Sequence, residues 1–83
     1  MNQFDAAKEI VKNFRIEPNE TISLELYALA MQSMYGDNCT WMPIFGKKSR
    51  QKWQHWLNFK GMAKEVARKN YIQKVNEIRF SYD

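Results

Sequence analysis

Residues 53–75 read WQHWLNFKGMAKEVARKNYIQKV, and this stretch decides the fold. Two predicted helices meet within it. The first is expected from Arg50 to Lys60 and is ended by Gly61, a residue that commonly stops a helix. The second is expected from about Lys64 to Phe80. Large apolar residues recur at helical spacing in both: Trp53, Trp56 and Leu57 in the first, then Ala67, Tyr71, Val75 and Ile78 in the second.

Two more helices are expected upstream of this stretch. One runs from about Asn2 to Phe14, and the other opens at Asn19-Glu20 and reaches Tyr35, where Gly36 stops it. No helical period is legible from Asp37 to Ser49, so a long loop is predicted there. With no strand-like alternation, the 83 residues predict one all-α domain, a bundle of four helices spanning residues 1–83.

The overall composition favours a cytoplasmic protein with an anionic partner. Hydrophobic residues make up 45% and charged residues 27%, and the net charge is +4. Cys39 is the only cysteine, which excludes a disulfide framework and fits a reducing compartment. The N-terminal residues have no signal-peptide features, and no apolar run is long enough to span a membrane.

The second helix carries two apolar stripes. One of them can face the core and consists of Ile22, Leu26, Leu29 and Ser33. The other is equally apolar and consists of Leu24, Tyr27, Ala28, Met31 and Tyr35. Since so small a bundle rarely buries both sides of a helix, we expect a ligand or a partner chain to cover the second stripe.

Catalysis is not expected. His55 has no cysteine or histidine at metal-ligand spacing, which argues against a metal site, and Cys39 has no identifiable base. Two other classes of protein stay open at this point. A nucleic-acid-binding module could use the cations of the fourth helix, which are Lys64, Arg68, Lys69, Lys74 and Arg79. A protein-docking bundle could use Trp41, Met42, Ile44 and Phe45.

The stretch that begins at Trp53 resembles the acyl-CoA-binding protein family, whose pattern there is W-x-x-W-x-x-x-K-G-x-x-K-E-x-A-x-x-x-Y-I-x-x-V. The resemblance implies a four-helix bundle with up-down-down-up topology. It further implies a monomer that binds one medium- or long-chain fatty acyl-CoA and serves as an intracellular carrier and pool former in lipid metabolism. No cofactor and no nucleic acid are expected, and transient contact with a membrane is allowed.

The same resemblance suggests which residues meet the ligand. Lysines and tyrosines at the family's head-group positions are Lys12, Tyr27, Lys48, Lys52 and Tyr71, and Leu24 would line the acyl groove. The sequence departs from the family at two further ligand-binding positions, where Ala30 replaces the usual tyrosine and Met31 replaces the usual lysine.

Overall fold

Four helices account for most of the chain in the computed structural model, which describes residues 2–82. They are α1 (Gln3–Lys12), α2 (Glu20–Tyr35), α3 (Lys47–Leu57) and α4 (Lys64–Tyr82). The described residues contain no strand, so the predicted all-α bundle is confirmed. Asparagine side chains cap the first two helices. Asn2 Oδ1 accepts from the Asp5 N–H at 2.8 Å, and Asn19 Oδ1 accepts from the Ile22 N–H at 2.9 Å.

The bounds of α2 agree with the prediction, whereas the other helices differ from it. α1 ends at Lys12 rather than Phe14, because Phe14 leaves the helix and its ring packs 5.8 Å from that of Tyr82. The same region holds the last turn of α4, which extends two residues beyond the predicted Phe80. There the Arg15 N–H donates to the Tyr82 carbonyl at 3.0 Å.

α3 is shifted toward the N-terminus of the chain by three residues relative to the predicted Arg50–Lys60. Its first residues are polar and therefore lacked the apolar period on which the prediction relied. Gly46, with a φ of 88°, turns the chain into the helix. Beyond Leu57 the chain continues in turns whose hydrogen bonds join residues three positions apart. One of them runs from the Lys60 N–H to the Leu57 carbonyl at 3.0 Å.

The helices follow the up-down-down-up order. α1 and α4 are parallel, because Phe4 meets Tyr71 near their beginnings and Arg15 meets Tyr82 near their ends. α2 runs antiparallel to α4 and parallel to α3. The cross-helix pairs that fix these directions are Glu25 with Lys74, Gln32 with Met62, Tyr27 with Lys52, and Tyr35 with Trp56.

The core lies where α1, α2 and α4 meet. Its buried side chains are Phe4, Ala7, Leu26, Leu29, Ala67, Tyr71 and Val75. The protein itself also buries Leu24 and Ala28, so the expectation that a ligand or a partner covers the whole second stripe of α2 is wrong for these two residues. α3 packs along α2 and leaves Tyr27 and Met31 half-buried and Tyr35 exposed.

Within residues 2–82, no helix is both long enough and apolar enough to cross a membrane.

Candidate ligand-binding site

A groove of about 580 Å³ separates the first half of α2 from α3. We call it the α2–α3 groove. Its wall on α3 is basic, and its wall on α2 is mixed. The lining residues are Glu17, Pro18, Glu20, Ser23, Leu24, Tyr27, Lys47, Lys48, Gln51 and Lys52. The basic wall gives the groove an affinity for anions, while Leu24 and Pro18 offer apolar surface.

A second groove of about 570 Å³, the α1–α2 groove, lies on the other side of Tyr27. Aromatic rings and two cations line it together with aliphatic side chains. Its residues are Val11, Lys12, Phe14, Arg15, Glu17, Pro18, Ser23, Leu26, Tyr27, Ala30 and Tyr71. Flat rings beside cations suit a planar heterocycle that carries phosphate groups.

The two grooves are adjacent, because Glu17, Pro18, Ser23 and Tyr27 line both of them. The Ser23 hydroxyl donates to the Pro18 carbonyl at 3.0 Å, which ties the α1–α2 linker to the first turns of α2. A single elongated ligand can therefore extend from one groove into the other past Tyr27. The volume of each groove lies in the range typical of small-molecule sites, which is about 300–1,000 Å³.

Lys52 reaches across from α3 to Tyr27. Its Nζ atom lies 5.2 Å from the centre of the Tyr27 ring, within the range of a cation–π contact. Lys48 precedes Lys52 by four residues and so shares its face of α3. The first turn of α3 contains no acidic residue, and its N-cap, Gly46, has no side chain to satisfy the free N–H groups. Cations are unfavourable at a helix N-terminus, so this arrangement favours a bound anion.

Tyr71 is a buried residue that lines the α1–α2 groove. It is only 4% exposed, and its ring contacts that of Phe4 edge-on at 5.2 Å between ring centres. Burial raises the pKa of Tyr71 to about 12, so its phenol stays protonated at physiological pH. The side chain is therefore both a core residue and a neutral wall of the groove.

The structure brings most of the predicted ligand-binding residues to the two grooves. Leu24, Lys48 and Lys52 line the α2–α3 groove, whereas Lys12, Ala30 and Tyr71 line the α1–α2 groove. Tyr27 lines both. Met31 is half-buried and is not among the residues that line either groove, so its contact with a ligand stays a prediction.

Sequence reasoning missed three groove residues that could bind an anion or a polar group: Lys47, Gln51 and Arg15. The early start of α3 accounts for Lys47, which lies before the predicted helix. When the helix begins at Lys47, residues 47, 48, 51 and 52 lie on one face. This spacing could have been identified from the sequence. Arg15 lies in the linker after α1, where no periodicity indicated the direction of its side chain.

A polar network behind the grooves fixes the end of α2 against the α3–α4 turn. The buried Gln32 amide donates to Asp37 Oδ1 at 2.9 Å and to the Met62 carbonyl at 2.7 Å. Asp37 Oδ1 also accepts from the Gly61 N–H at 2.8 Å. The hydrogen bonds from Gly61 and Gln32, with a smaller effect of the Lys60 charge, hold the pKa of Asp37 below its usual value of 3.8.

The cations that suggested a nucleic-acid module do not all face solvent freely. Lys74 pairs with Glu25 at 3.2 Å, and the Arg68 guanidinium lies 5.6 Å from the centre of the Phe4 ring. Within the described residues, no cluster of three or more histidine, cysteine or acidic residues could hold a metal ion.

Comparison with known proteins gives one consistent result. Residues 1–75 match the family model described as acyl CoA binding protein. Over 80 residues the chain is 40% identical to acyl-CoA-binding protein homolog 1 of Caenorhabditis elegans, covering 95% of the chain and 93% of the relative. It is 39% identical to the acyl-CoA-binding protein of Saccharomyces cerevisiae over 80 residues, covering 95% of the chain and 92% of the relative.

Two solved structures share the fold. The crystal structure of Oryza sativa acyl-CoA-binding protein 2 superposes with a TM-score of 0.88 at 32% identity, covering 95% of the chain and 89% of the rice protein. The solution structure of the yeast protein superposes with a TM-score of 0.79 at 39% identity, covering 95% of the chain and 93% of the yeast chain.

Proposed function

Because the chain belongs to the acyl-CoA-binding protein family, a family of binding proteins, we propose that it binds fatty acyl-CoA thioesters. The proposed ligands have medium or long acyl chains, and one molecule binds per monomer of the single domain. The protein would act as a carrier and reservoir in the cytoplasm, a compartment that suits its free, exposed Cys39 thiol. It would catalyse no reaction and need no cofactor.

The observation that carries this proposal is that the two grooves lie side by side and share Tyr27 as a lining residue. An acyl-CoA has a nucleotide end with phosphate groups and an apolar end, and therefore needs cations and apolar surface within one elongated site. The aromatic rings and cations of the α1–α2 groove suit the adenine nucleotide. Leu24, Pro18 and the methylene stems of the lysines in the α2–α3 groove suit the acyl chain.

Within this assignment each side chain has a distinct role. Lys52 and Lys48 would bind phosphate oxygens by charge-assisted hydrogen bonds, and Lys12 would do so from the side of α1. Tyr27 would lie at the junction of the two ends of the ligand. Tyr71 would present a neutral phenol to the nucleotide. The remaining contacts of the proposed site come from Leu24, Ala30 and Met31.

Calorimetric titration of the same preparation with palmitoyl-CoA, free CoA and palmitate tests the proposal. Each methylene that leaves water contributes about 0.8 kcal/mol, so four buried methylenes strengthen binding by about 3 kcal/mol, or more than a hundredfold. Palmitoyl-CoA should therefore bind at least a hundredfold more tightly than free CoA, and palmitate should bind more weakly than palmitoyl-CoA. Equal affinities for palmitoyl-CoA and free CoA would contradict the acyl groove.

A further inference from the structure

Four large apolar side chains project from the loop between α2 and α3. Trp41 is 95% exposed, Ile44 81% and Phe45 86%, and Met42 is 46% exposed. We call residues 41–45 the apolar tip. The other large exposed hydrophobic residues of the described chain are scattered over the α1–α2 linker, the end of α2 and α4. A cluster of this kind indicates an interaction surface rather than the scattered apolar exposure of an ordinary protein surface.

The base of the apolar tip is fixed to α3. The side-chain amide of the buried Asn38 donates to the Trp53 carbonyl at 3.0 Å, and its Oδ1 accepts from the Thr40 N–H at 3.0 Å. The Trp53 indole N–H in turn donates to the Thr40 carbonyl at 3.1 Å. These bonds hold residues 38–40 against the helix, so the side chains that follow project outward from an ordered base.

The stretch of chain around the apolar tip carries mainly positive charge. Residues 26–64 contain six lysines and arginines and one acid, Asp37, whereas the rest of the chain contains seven cations and eight acids. The net positive charge of the protein therefore arises from this stretch. Lys47, Lys48 and Arg50 follow the tip directly, and Arg50 Nη2 lies 3.7 Å from the Met42 sulfur.

We propose that the apolar tip is a membrane-docking loop, with Trp41, Ile44 and Phe45 entering the interface of a bilayer whose headgroups are anionic, and Lys47, Lys48 and Arg50 lying against those headgroups. Aromatic side chains are favoured at the level of the headgroups, and apolar surface beside cations is the pattern of interfacial binding. Each cation near an anionic surface contributes about 1 kcal/mol.

The size and charge of the apolar tip favour a bilayer over a second copy of the chain. The tip consists of five residues, whereas a stable protein interface uses roughly 20–30 residues from each partner. Two such tips would also bring their positive stretches together. A bilayer needs no complementary surface, and its anionic headgroups complement the charge.

The docking loop lies beside the α2–α3 groove. Lys47 lines that groove and also the depression between Met42 and Arg50. Docking would therefore place the groove close to the lipid surface. The docking itself does not depend on the proposed ligand, and vesicle binding can be measured without acyl-CoA. A lack of vesicle binding would therefore leave the acyl-CoA proposal unaffected.

Vesicle co-sedimentation tests the proposal with the full chain. We expect binding to vesicles of phosphatidylcholine and phosphatidylserine, weaker binding to phosphatidylcholine alone, and a blue shift of tryptophan emission on binding. The double variant Trp41→Ser/Phe45→Ser should lower vesicle affinity at least roughly tenfold because it removes two inserted rings. Phe80→Ser is the matched control, since Phe80 is 87% exposed on α4, and it should bind like the parent.

A second pair of variants tests the charge. Arg50→Gln should weaken binding to the anionic vesicles roughly fivefold, and Arg68→Gln, which makes the same change of net charge on α4, should have a smaller effect. Circular dichroism melts confirm that each variant is folded. The proposal is overturned if the parent does not bind anionic vesicles or if the double variant binds as well as the parent. The proposal is also overturned if the parent forms dimers in the absence of lipid and the double variant does not, because the partner of the tip would then be a second copy of the chain.

Discussion

The ammonium group of Lys52 lies 5.2 Å from the centre of the Tyr27 ring, so a cation of α3 meets an aromatic ring of α2 where the two grooves join. The contact bridges the two walls of the α2–α3 groove. It also holds Lys52 next to Tyr27, an aromatic residue that lines both grooves.

Lys52→Ala should weaken the binding of palmitoyl-CoA by about 1.5–3 kcal/mol, the usual contribution of a hydrogen bond to a charged group. The loss should be largest at low salt, because added ions screen a lysine–phosphate contact. Calorimetric titrations at several salt concentrations measure both effects. Lys69→Ala is the control, because Lys69 is exposed on α4 and lines neither groove. Equal affinities of the two variants would exclude Lys52 from the site.

Met31→Lys should tighten acyl-CoA binding and steepen its dependence on salt. Residue 31 follows Tyr27 by four positions, so both side chains lie on one face of α2. A lysine there would add a phosphate contact of about 1.5–3 kcal/mol. Ala30→Tyr should give a smaller gain through stacking in the α1–α2 groove. Asn76→Lys, an exposed position on α4, controls for net charge. If Met31→Lys leaves the affinity and the salt slope unchanged, Lys12, Arg15 or Lys48 already supplies that contact.

Trp56→Ala should destabilise the fold more than Trp53→Ala. Trp56 is 6% exposed and its indole N–H donates to the Gly36 carbonyl at 2.8 Å, whereas Trp53 is only half-buried. The expected loss is about 3–5 kcal/mol for Trp56 and about half of that for Trp53. Urea unfolding measures both losses. It is followed by the helical circular-dichroism signal, because that signal does not depend on tryptophan emission. Equal losses would contradict the assigned burial.

Asp37→Asn should destabilise the protein at neutral pH and lose its effect in acid. The pKa of Asp37 is lower in the folded protein than its usual 3.8, so its carboxylate contributes stability above that value. This contribution is lost as the pH falls through the folded-state pKa. Urea unfolding of the parent and Asp37→Asn along a pH series measures the difference. A difference that stays constant into the acid range would show that the charge of Asp37 has no role in stability.

Tyr71→Phe should remove part of the alkaline loss of stability. The pKa of Tyr71 is raised to about 12, so the neutral phenol contributes stability that is full below the ordinary value of 10.0 and is lost as the pH rises toward 12. The unfolding temperature of the parent should therefore fall more steeply with pH over this range than the unfolding temperature of Tyr71→Phe. Tyr35→Phe, at a 63% exposed position, should follow the parent. Identical alkaline profiles for the parent and Tyr71→Phe would contradict the prediction.

The number and order of the helices could be predicted from the sequence because the residues that start and end helices act locally. Asn19 and Gly36 bound α2 through their own hydrogen bonds and backbone angles, and the prediction there was correct at both ends. The start of α3 was predicted too late because residues 47–50 are polar. A helix that is held by one neighbour on one side needs no apolar residue in its first turn.

The second face of α2 was only partly predictable for a different reason. Periodicity identifies a stripe as apolar, but the element that covers the stripe depends on how the other helices pack. Leu24 and Ala28 are buried within the protein, yet Leu24, like Tyr27 of the same stripe, lines a groove. All the predicted ligand-binding residues except Met31 line the grooves, whereas Arg15, which no local pattern singled out, required the structure.

The edge-on contact between Phe4 and Tyr71 has a consequence for the order of events during synthesis. The two rings belong to the first and last helices, and α1 packs against α4 rather than α2. A ribosome adds about 5–20 residues per second, so several seconds pass between the synthesis of α1 and that of α4, and the apolar face of α1 lacks its partner helix during that time. During that interval α2 and α3 can pair, since they are neighbours in the chain. During synthesis the core can therefore be completed only when α4 is available, since the core contains residues of α1, α2 and α4.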